Sequence, residues 1–328
     1  MRLALLAAGL AASCGSPPVP YVARAVAAMD AVFSVGAWGA DSARLAVATL
    51  AALDSVRRID SLLTGDRSLS EVGRINGAAG RPVPVSAPLL TILGEALTIA
   101  AASSGAFDPT GSDYRGVRLD RARSTVRLRP GLSLDLIGLA PGYALDRAMP
   151  ALRGVADSAI LGIGGVLLVL GGSHSGAGRH VGIADPENSL RSLAQLALPP
   201  GTWAVATAAV TDVDPVQDPR TGQPAATARS VTTVGREAMK ANAWARAFFV
   251  LGCDRALAQA PGLGLGAVCV DDRGGVRWTD DLNGSVLLVT DSARAAGFVP
   301  APGRGPVPGP APATNGSTIP PASPDSSR

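Results

Sequence analysis

The chain has 328 residues, of which 47% are hydrophobic and 17% charged, with 29 Lys and Arg against 26 Asp and Glu. A formal net charge of +3 and an aromatic content of 4% are too low for a nucleic-acid-binding surface, so we expect no nucleic acid partner. Three cysteines and two histidines argue against a disulfide scaffold and a His/Cys zinc site, so any metal should have oxygen ligands.

The N-terminal segment is typical of a secreted bacterial lipoprotein. Arg2 is followed by an apolar run of roughly ten residues, which is too short to span a bilayer as a helix. Ala11 to Cys14 resembles a lipobox, in which the cysteine becomes a lipidated N-terminus. Residues 1–14 are therefore predicted to be a signal peptide and 15–24 a linker, with plain cleavage and a chance apolar start as the alternatives. We expect an extracytoplasmic protein, lipid-anchored to the periplasmic side of a bacterial membrane through Cys14.

Strand-like and helix-like segments follow without an internal repeat. Met29 to Trp38 is a candidate strand. Asp41 or Ser42 caps a helix, whose apolar face is predicted to be Leu50, Leu53, Val56, Ile59 and Leu63. A second helix begins after Ser86, with Pro88 in its first turn and Leu89, Leu93 and Leu97 on one face.

The central part of the chain changes in character after this helix. We predict short strands within 118–130 and at 132–136, a helix at 141–152, two strands within 159–170, strands at 180–184, 202–207 and 230–234, a helix at 237–251, and strands at 266–271 and 285–290. Because helices and strands mix without a regular βαβ rhythm, the predicted fold class is α+β.

The C-terminal segment has a different composition. Residues 300–328 contain nine prolines among Gly, Ala, Ser and Thr, which cannot bury enough apolar area to offset the ordering of the chain. We therefore predict a folded domain over 25–296 and a disordered Pro-rich tail over 297–328.

Three glycine-bearing segments lie at junctions between predicted elements: Gly105 to Thr110, Asp135 to Tyr143, and Gly162 to Gly165. Glycine lets the backbone approach a ligand closely, and a helix start beside such a loop favours phosphate oxygens. Each segment alone is equally compatible with a tight turn. The chain has no Walker or dinucleotide-binding fingerprint.

Several motifs occur in one order along the chain: Met29, Ser70 to Asn76, Gly105 to Thr110, Asp135 to Asp146, Gly164-Gly165, Val181 to Pro186, Asp218 to Gly222, and Ala241 to Gly252. In this order they resemble the FAD:protein FMN transferases, the family once called thiamine biosynthesis lipoproteins, over nearly all of residues 25–292.

The resemblance implies a fold, an activity and a set of partners. The fold would be a T-fold-like α+β architecture of mixed helices and mostly antiparallel sheets. The protein would use FAD as substrate and Mg²⁺ on its diphosphate. It would move FMN to a Thr or Ser hydroxyl of an extracytoplasmic or membrane protein, such as a membrane redox subunit, and release AMP.

The resemblance also implies site residues. Those lining the FAD site would be Met29, Ala106, Phe107, Asp108, Ile137, Tyr143 and Gln217, with Gln217 in a strand before the turn that starts at Asp218. The metal positions correspond to Ala140, Asn242, Ala245 and Arg246. No catalytic residue can be assigned.

The metal positions depart from the family pattern. Where the resemblance implies an Asp and a Thr one helical turn apart, this chain has Asn242 and Arg246. A neutral amide is a weak Mg²⁺ ligand, and a guanidinium repels the cation. Three readings follow. The protein is a transferase of reduced turnover, with Arg246 near the diphosphate; or a non-catalytic flavin- or nucleotide-binding lipoprotein; or a structural or partner-binding lipoprotein with an empty pocket.

Two cysteines follow the last predicted helix. Cys253 lies at the helix end and Cys269 on a later strand, and they could pair in an oxidising compartment. A buried reduced pair is the equal alternative.

Overall fold

The computed structural model describes residues 19–63, 69–173, 178–210 and 215–289. The predicted signal peptide with Cys14 and the predicted Pro-rich tail lie outside these ranges. Within them, no helix combines the length and the apolar character needed to cross a bilayer.

The described ranges form an α+β fold. The helices are α1 (Ser42–Leu63), α2 (Glu71–Asn76), α3 (Ala87–Ala102), α4 (Ala140–Ala148), α5 (Ala238–Leu251) and α6 (Cys253–Gln259). The strands are β1 (Tyr21–Ala28), β2 (Ala31–Trp38), β3 (Val83–Pro84), β4 (Val117–Asp120), β5 (Thr125–Leu128), β6 (Ser158–Ile163), β7 (Val166–Leu170), β8 (Arg179–Asp185), β9 (Asn188–Leu198), β10 (Trp203–Ala209), β11 (Gln217–Asp218), β12 (Gln223–Pro224), β13 (Ser230–Gly235), β14 (Gly266–Val270), β15 (Val276–Trp278) and β16 (Val286–Leu288).

An eight-stranded antiparallel sheet lies at the centre, in the order β1-β2-β6-β7-β10-β13-β14-β15. Helices α1, α4 and α5 pack on one of its faces, and the three-stranded sheet β16-β9-β8 packs on the other. Strand β10 shows why both faces are covered: Ala204 and Ala206 belong to the helix-side core, whereas Val205 belongs to the core under the small sheet. Because side chains alternate along a strand, apolar residues at every position require a layer on each side.

The sequence signals at helix starts are confirmed. The side chain of Asp41 accepts hydrogen bonds from the amides of Ala43 and Arg44 at the start of α1, and Ser86 accepts one from Leu89 at the start of α3. On α1, Leu53, Val56, Ile59 and Leu63 are buried as predicted. Leu50 was wrongly placed on this face, since it is 45% exposed.

The first strand was missed. β1 begins at Tyr21, so residues 21–24 of the predicted linker are part of the sheet. Its alanine-rich sequence has a weak strand propensity, and eight-residue pairing with β2 overrides it. Met29 was wrongly placed in a strand: Met29 and Asp30 form the two-residue hairpin turn, with φ of 52° and 55°. Two positive φ values suit the twist of a tight hairpin.

Other elements also differ from the prediction. The sequence analysis does not predict the long strand β9, the short strands β3, β12 and β15, or the short helix α6, and residues 132–136, predicted as a strand, have no regular structure. β9 has small or polar residues at several inward positions, so its hydrophobic alternation is weak, and it is held by pairing with β8 and β16.

Candidate functional site

Two of the three glycine-bearing segments meet. The amide of Asp135 donates a hydrogen bond of 2.7 Å to the carbonyl of Pro109, which joins the loop after α3 to the loop before α4. The third segment does not join them: Gly164 and Gly165 form the turn between β6 and β7, and Gly165 accepts a hydrogen bond from Thr207. For that segment the tight-turn reading is correct.

A cleft of about 330 Å³ opens where the two joined loops face β11 and α5. Such a volume lies at the lower end of the range of small-molecule sites. Six of the predicted site residues line it: Ala106, Phe107, Asp108, Ile137, Gln217 and Arg246. As predicted, Gln217 lies in a strand, since β11 pairs with β12 on either side of the turn at Asp218 to Gly222.

The other five predicted residues do not line this cleft. The amide of Met29 donates to the carboxylate of Asp60, at 2.9 Å. Ala140 and Tyr143 are buried on α4. Asn242 and Ala245 are buried on α5. Asn242 lies one helical turn before Arg246, and Ala245 is the residue immediately before it.

Sequence reasoning did not select Thr110, Asp135 and Gly138, which also line the cleft. Asp135 and Gly138 lie in a segment that the motif order included, and Asp135 has the spacing of an aspartate turn: its side chain accepts from the amide of Ile137 at 2.8 Å. That spacing was the available signal for a shaped loop at this place.

The carboxylate of Asp108 holds its own loop together. One oxygen accepts from the amide and the hydroxyl of Thr110, both at 2.7 Å, and the other accepts from the amide of Tyr114 at 2.8 Å. Since both oxygens have donors, Asp108 shapes this wall of the cleft, and its turn-forming role is the one that the structure shows.

The turn after β11 is also held by a carboxylate. Arg220 donates two hydrogen bonds to Asp218, at 2.8 and 2.7 Å, and this side-chain pairing is the main reason that the pKa of Asp218 lies below its usual value. Arg220 also lies against Gly105, where a β-carbon would come within 3.6 Å of its Cγ. The turn therefore rests on the loop after α3.

Helices α4 and α5 pack closely against each other. A β-carbon on Gly142 would lie 2.3 Å from the carbonyl oxygen of Ala238, so only glycine allows this approach. Asp146 accepts hydrogen bonds from the amides of Ala238 and Met239, at 2.8 and 2.9 Å, and thereby caps α5. Burial raises the pKa of Asp146 above its ordinary value.

Phe107, Gly138 and Arg246 pack together in the lining of the cleft. A β-carbon on Gly138 would lie 2.8 Å from the ring of Phe107 and 3.1 Å from Cδ of Arg246. The half-buried Arg246 forms no hydrogen bond or ion pair with any residue in the described ranges. It therefore supplies an unpaired cation beside an aromatic ring.

The residues at the metal positions do not fit Mg²⁺. The described ranges hold no cluster of three or more His, Cys, Asp or Glu side chains that could bind a metal. Asn242 is 9% exposed and its buried amide nitrogen has no hydrogen-bond partner among the described residues, and Arg246 is one turn further along α5. A guanidinium and an amide without carboxylate support are a poor donor set for a hard cation.

The fold and cleft define a class: a layered α+β protein with a small-molecule cleft between two glycine-bearing loops, a short β-hairpin and a buried helix. Comparison with known proteins makes the class specific. The model of the ApbE family matches residues 29–114 and 110–268. The chain belongs to the ApbE family.

Individual relatives agree with the family match. The chain is 30% identical over 274 residues to an FAD:protein FMN transferase of Treponema pallidum, covering 66% of this chain and 76% of that one. It is 28% identical over 243 residues to the FAD:protein FMN transferase of Klebsiella pneumoniae, covering 62% and 75%. The crystal structure of an ApbE protein from Thermotoga maritima superposes with a TM-score of 0.73 at 23% identity, covering 81% of this chain and 99% of that one.

Proposed function

We infer that the protein is an FAD:protein FMN transferase. The observation that carries this inference is the cleft itself: in a member of the ApbE family, the loops at Gly105 and Asp135 meet beside an aromatic ring and an unpaired guanidinium. A flavin dinucleotide has an aromatic ring system and an anionic diphosphate, so the two kinds of group that it needs are present together.

The chemistry is displacement at phosphorus. The oxygen of a Thr or Ser hydroxyl on the acceptor protein bonds to the phosphorus on the FMN side of the diphosphate. The bond from that phosphorus to the bridging oxygen breaks, AMP leaves, and the hydroxyl proton passes to water. This chain would contribute alignment by the loop walls and charge stabilisation by Arg246.

The role of the metal is part of the proposal. Mg²⁺ supplies charge neutralisation and bridging geometry at a diphosphate where its ligands exist. Arg246 provides charge without that geometry, so we propose that turnover is lower than with a complete metal site, by about 10² to 10³, the usual effect of losing one preorganised group.

The acceptor and the cellular location complete the proposal. We propose an extracytoplasmic enzyme, anchored to a bacterial membrane through lipid on Cys14, that modifies a membrane redox subunit. Two features support the location: the lipobox-like sequence, and the disulfide between Cys253 and Cys269, with Cα atoms 5.5 Å apart. Disulfides persist mainly in oxidising compartments.

A transfer assay tests the function. The purified protein is incubated with FAD and a flavinylation-motif peptide that contains one Thr, and we expect peptide-bound flavin fluorescence together with an equal amount of AMP. Matched controls replace FAD by FMN, which has no AMP leaving group, and the peptide Thr by Val. FAD binding without any covalent product over many hours would instead indicate a non-catalytic flavin-binding protein.

A further inference from the structure

We propose that Arg246 binds the diphosphate of FAD directly, in place of the divalent cation that the family resemblance implies, so that the cleft takes up FAD without Mg²⁺. This proposal rests on the proposed function, because it assumes that FAD is the ligand of the cleft.

Arg246 is free to bind an anion. Its side chain lines the cleft and packs against Gly138, and it is not engaged by any hydrogen bond or ion pair within the described part of the chain. A half-buried guanidinium normally has a carboxylate or carbonyl partner, and its planar fork of donors matches phosphate oxygens.

Asn242 does not line the cleft, and it does not rebuild a cation site beside Arg246. It precedes Arg246 by one helical turn on α5, so the two residues share a face of the helix. Its side chain is about nine-tenths buried, and the amide nitrogen has no hydrogen-bond partner in the described ranges. An amide carries no charge, so Asn242 neither holds a divalent cation beside Arg246 nor pairs with the guanidinium.

The acidic residues of the cleft do not provide a substitute metal site. Both oxygens of Asp108 are already used by Thr110 and Tyr114. Asp135 is exposed and its side chain accepts from its own turn. Water screens an exposed carboxylate, so Asp135 opposes an anion at Arg246 only weakly.

The net charge offered to the diphosphate is the same for a metal site and for the residues of this chain. An aspartate, a threonine and Mg²⁺ would together bring a charge of +1 to the diphosphate, and Asn242 with Arg246 also brings +1. At the second position Arg246 has N–H donors in place of a hydroxyl, which is the change that a site needs when it binds phosphate oxygens without an intervening cation.

Equilibrium binding tests the proposal, with FAD, ADP and riboflavin as ligands, each measured in EDTA and in excess MgCl₂. For the wild-type protein we expect FAD dissociation constants that agree within about threefold between the two buffers. Arg246→Gln should weaken FAD and ADP by roughly 10- to 100-fold, the effect of losing charge-assisted hydrogen bonds, and leave riboflavin within about twofold. Arg255→Gln makes the same charge change on the exposed surface of α6 and should leave all three ligands unaffected.

A gain in FAD affinity of tenfold or more with MgCl₂ would overturn the proposal and leave the transferase assignment intact. An equal loss of riboflavin and FAD binding in Arg246→Gln would also overturn it. Failure of the wild-type protein to bind FAD in either buffer would refute the proposed function itself.

Discussion

At Gly138, the absence of a side chain leaves room for two residues of the cleft. A β-carbon at this position would lie 2.8 Å from the ring of Phe107 and 3.1 Å from Cδ of Arg246, closer than an ordinary van der Waals contact. The arrangement of the cleft therefore depends on glycine at position 138, because the missing side chain allows the Phe107 ring and the Arg246 guanidinium to lie side by side.

Gly138→Ala should reduce ligand binding more than stability. The new methyl group would come within 2.8 Å of the buried ring of Phe107, so the ring or Arg246 must shift. We expect FAD affinity to fall by roughly tenfold or more, with a folding cost of about 1–3 kcal/mol from overpacking. FAD titration and chemical denaturation measure the two effects.

Gly131→Ala is the control, with open space around its β-carbon position, although its φ of 86° adds strain. FAD affinity equal to wild type in Gly138→Ala would contradict this role of the glycine.

At the scale of elements, α4 positions α5. The N-terminal residue of α5 is preceded by Glu237, whose side chain makes no capping hydrogen bond. The cap comes instead from Asp146 on α4, and Gly142 lets the two backbones touch. Since α5 carries Asn242 and Arg246, this contact between helices determines where both side chains lie relative to the loops.

Asp146 should show a characteristic pH dependence. Its pKa is raised, chiefly by burial and further by the charge of Glu237, while the amides of Met239 and Ala238 and the charge of Arg147 oppose the shift. The native state thus holds this proton more firmly than the unfolded chain. The group's contribution to the free energy of unfolding consequently grows as pH falls into the acid range, and it is lost as pH rises through the native pKa.

Denaturation of Asp146→Asn and Asp146→Ala between pH 4 and 7 checks this. Relative to Asp146→Asn, which does not titrate, the wild-type protein should gain stability as pH decreases. Asp146→Ala should lose about 0.5–2 kcal/mol at every pH, the usual effect of removing a helix cap. If the wild-type protein instead loses stability relative to Asp146→Asn as pH decreases, the surroundings stabilise the charged carboxylate and the prediction is wrong.

For the whole molecule, the disulfide ties the end of the helix layer to the central sheet. Cys253 begins α6 and Cys269 lies in β14, and both are buried. The sequence left pairing and a reduced pair equally open, and the structure pairs them. Because only Gly252 separates Cys253 from the last residue of α5, the bond also restrains the helix that carries Arg246.

Removing this disulfide should lower the stability of the whole domain. The bond joins residues 16 apart in sequence, and the loop-entropy model gives about 3 kcal/mol for a loop of that size. For the Cys253→Ala/Cys269→Ala variant we expect a melting temperature roughly 6–12 °C lower. Dithiothreitol during unfolding should destabilise the wild-type protein and leave the variant unchanged. Equal melting temperatures for both proteins without reductant would exclude a stabilising role.

The sequence by itself determined most of the helices, the α+β class and the family. Caps such as Ser86 and the apolar faces of α1 and α3 depend on residues that are close together in the sequence, so the pattern of residues predicts them. The order of the motifs then carried the resemblance to the family, and the resemblance implied six of the residues that line the cleft. Those six could be named because family positions map onto motifs that are recognisable along the chain.

Only the tertiary structure decided which of these residues share a site. β1 and β9 form because partner strands supply their hydrogen bonds, and that pairing is not encoded in their own weak patterns. Two further features likewise depend on long-range packing: the meeting of the loops at Gly105 and Asp135, and the lack of a partner for the Asn242 amide nitrogen within the described ranges. Whether a polar group is buried without a partner is a property of its three-dimensional surroundings, which residue spacing along the chain does not specify.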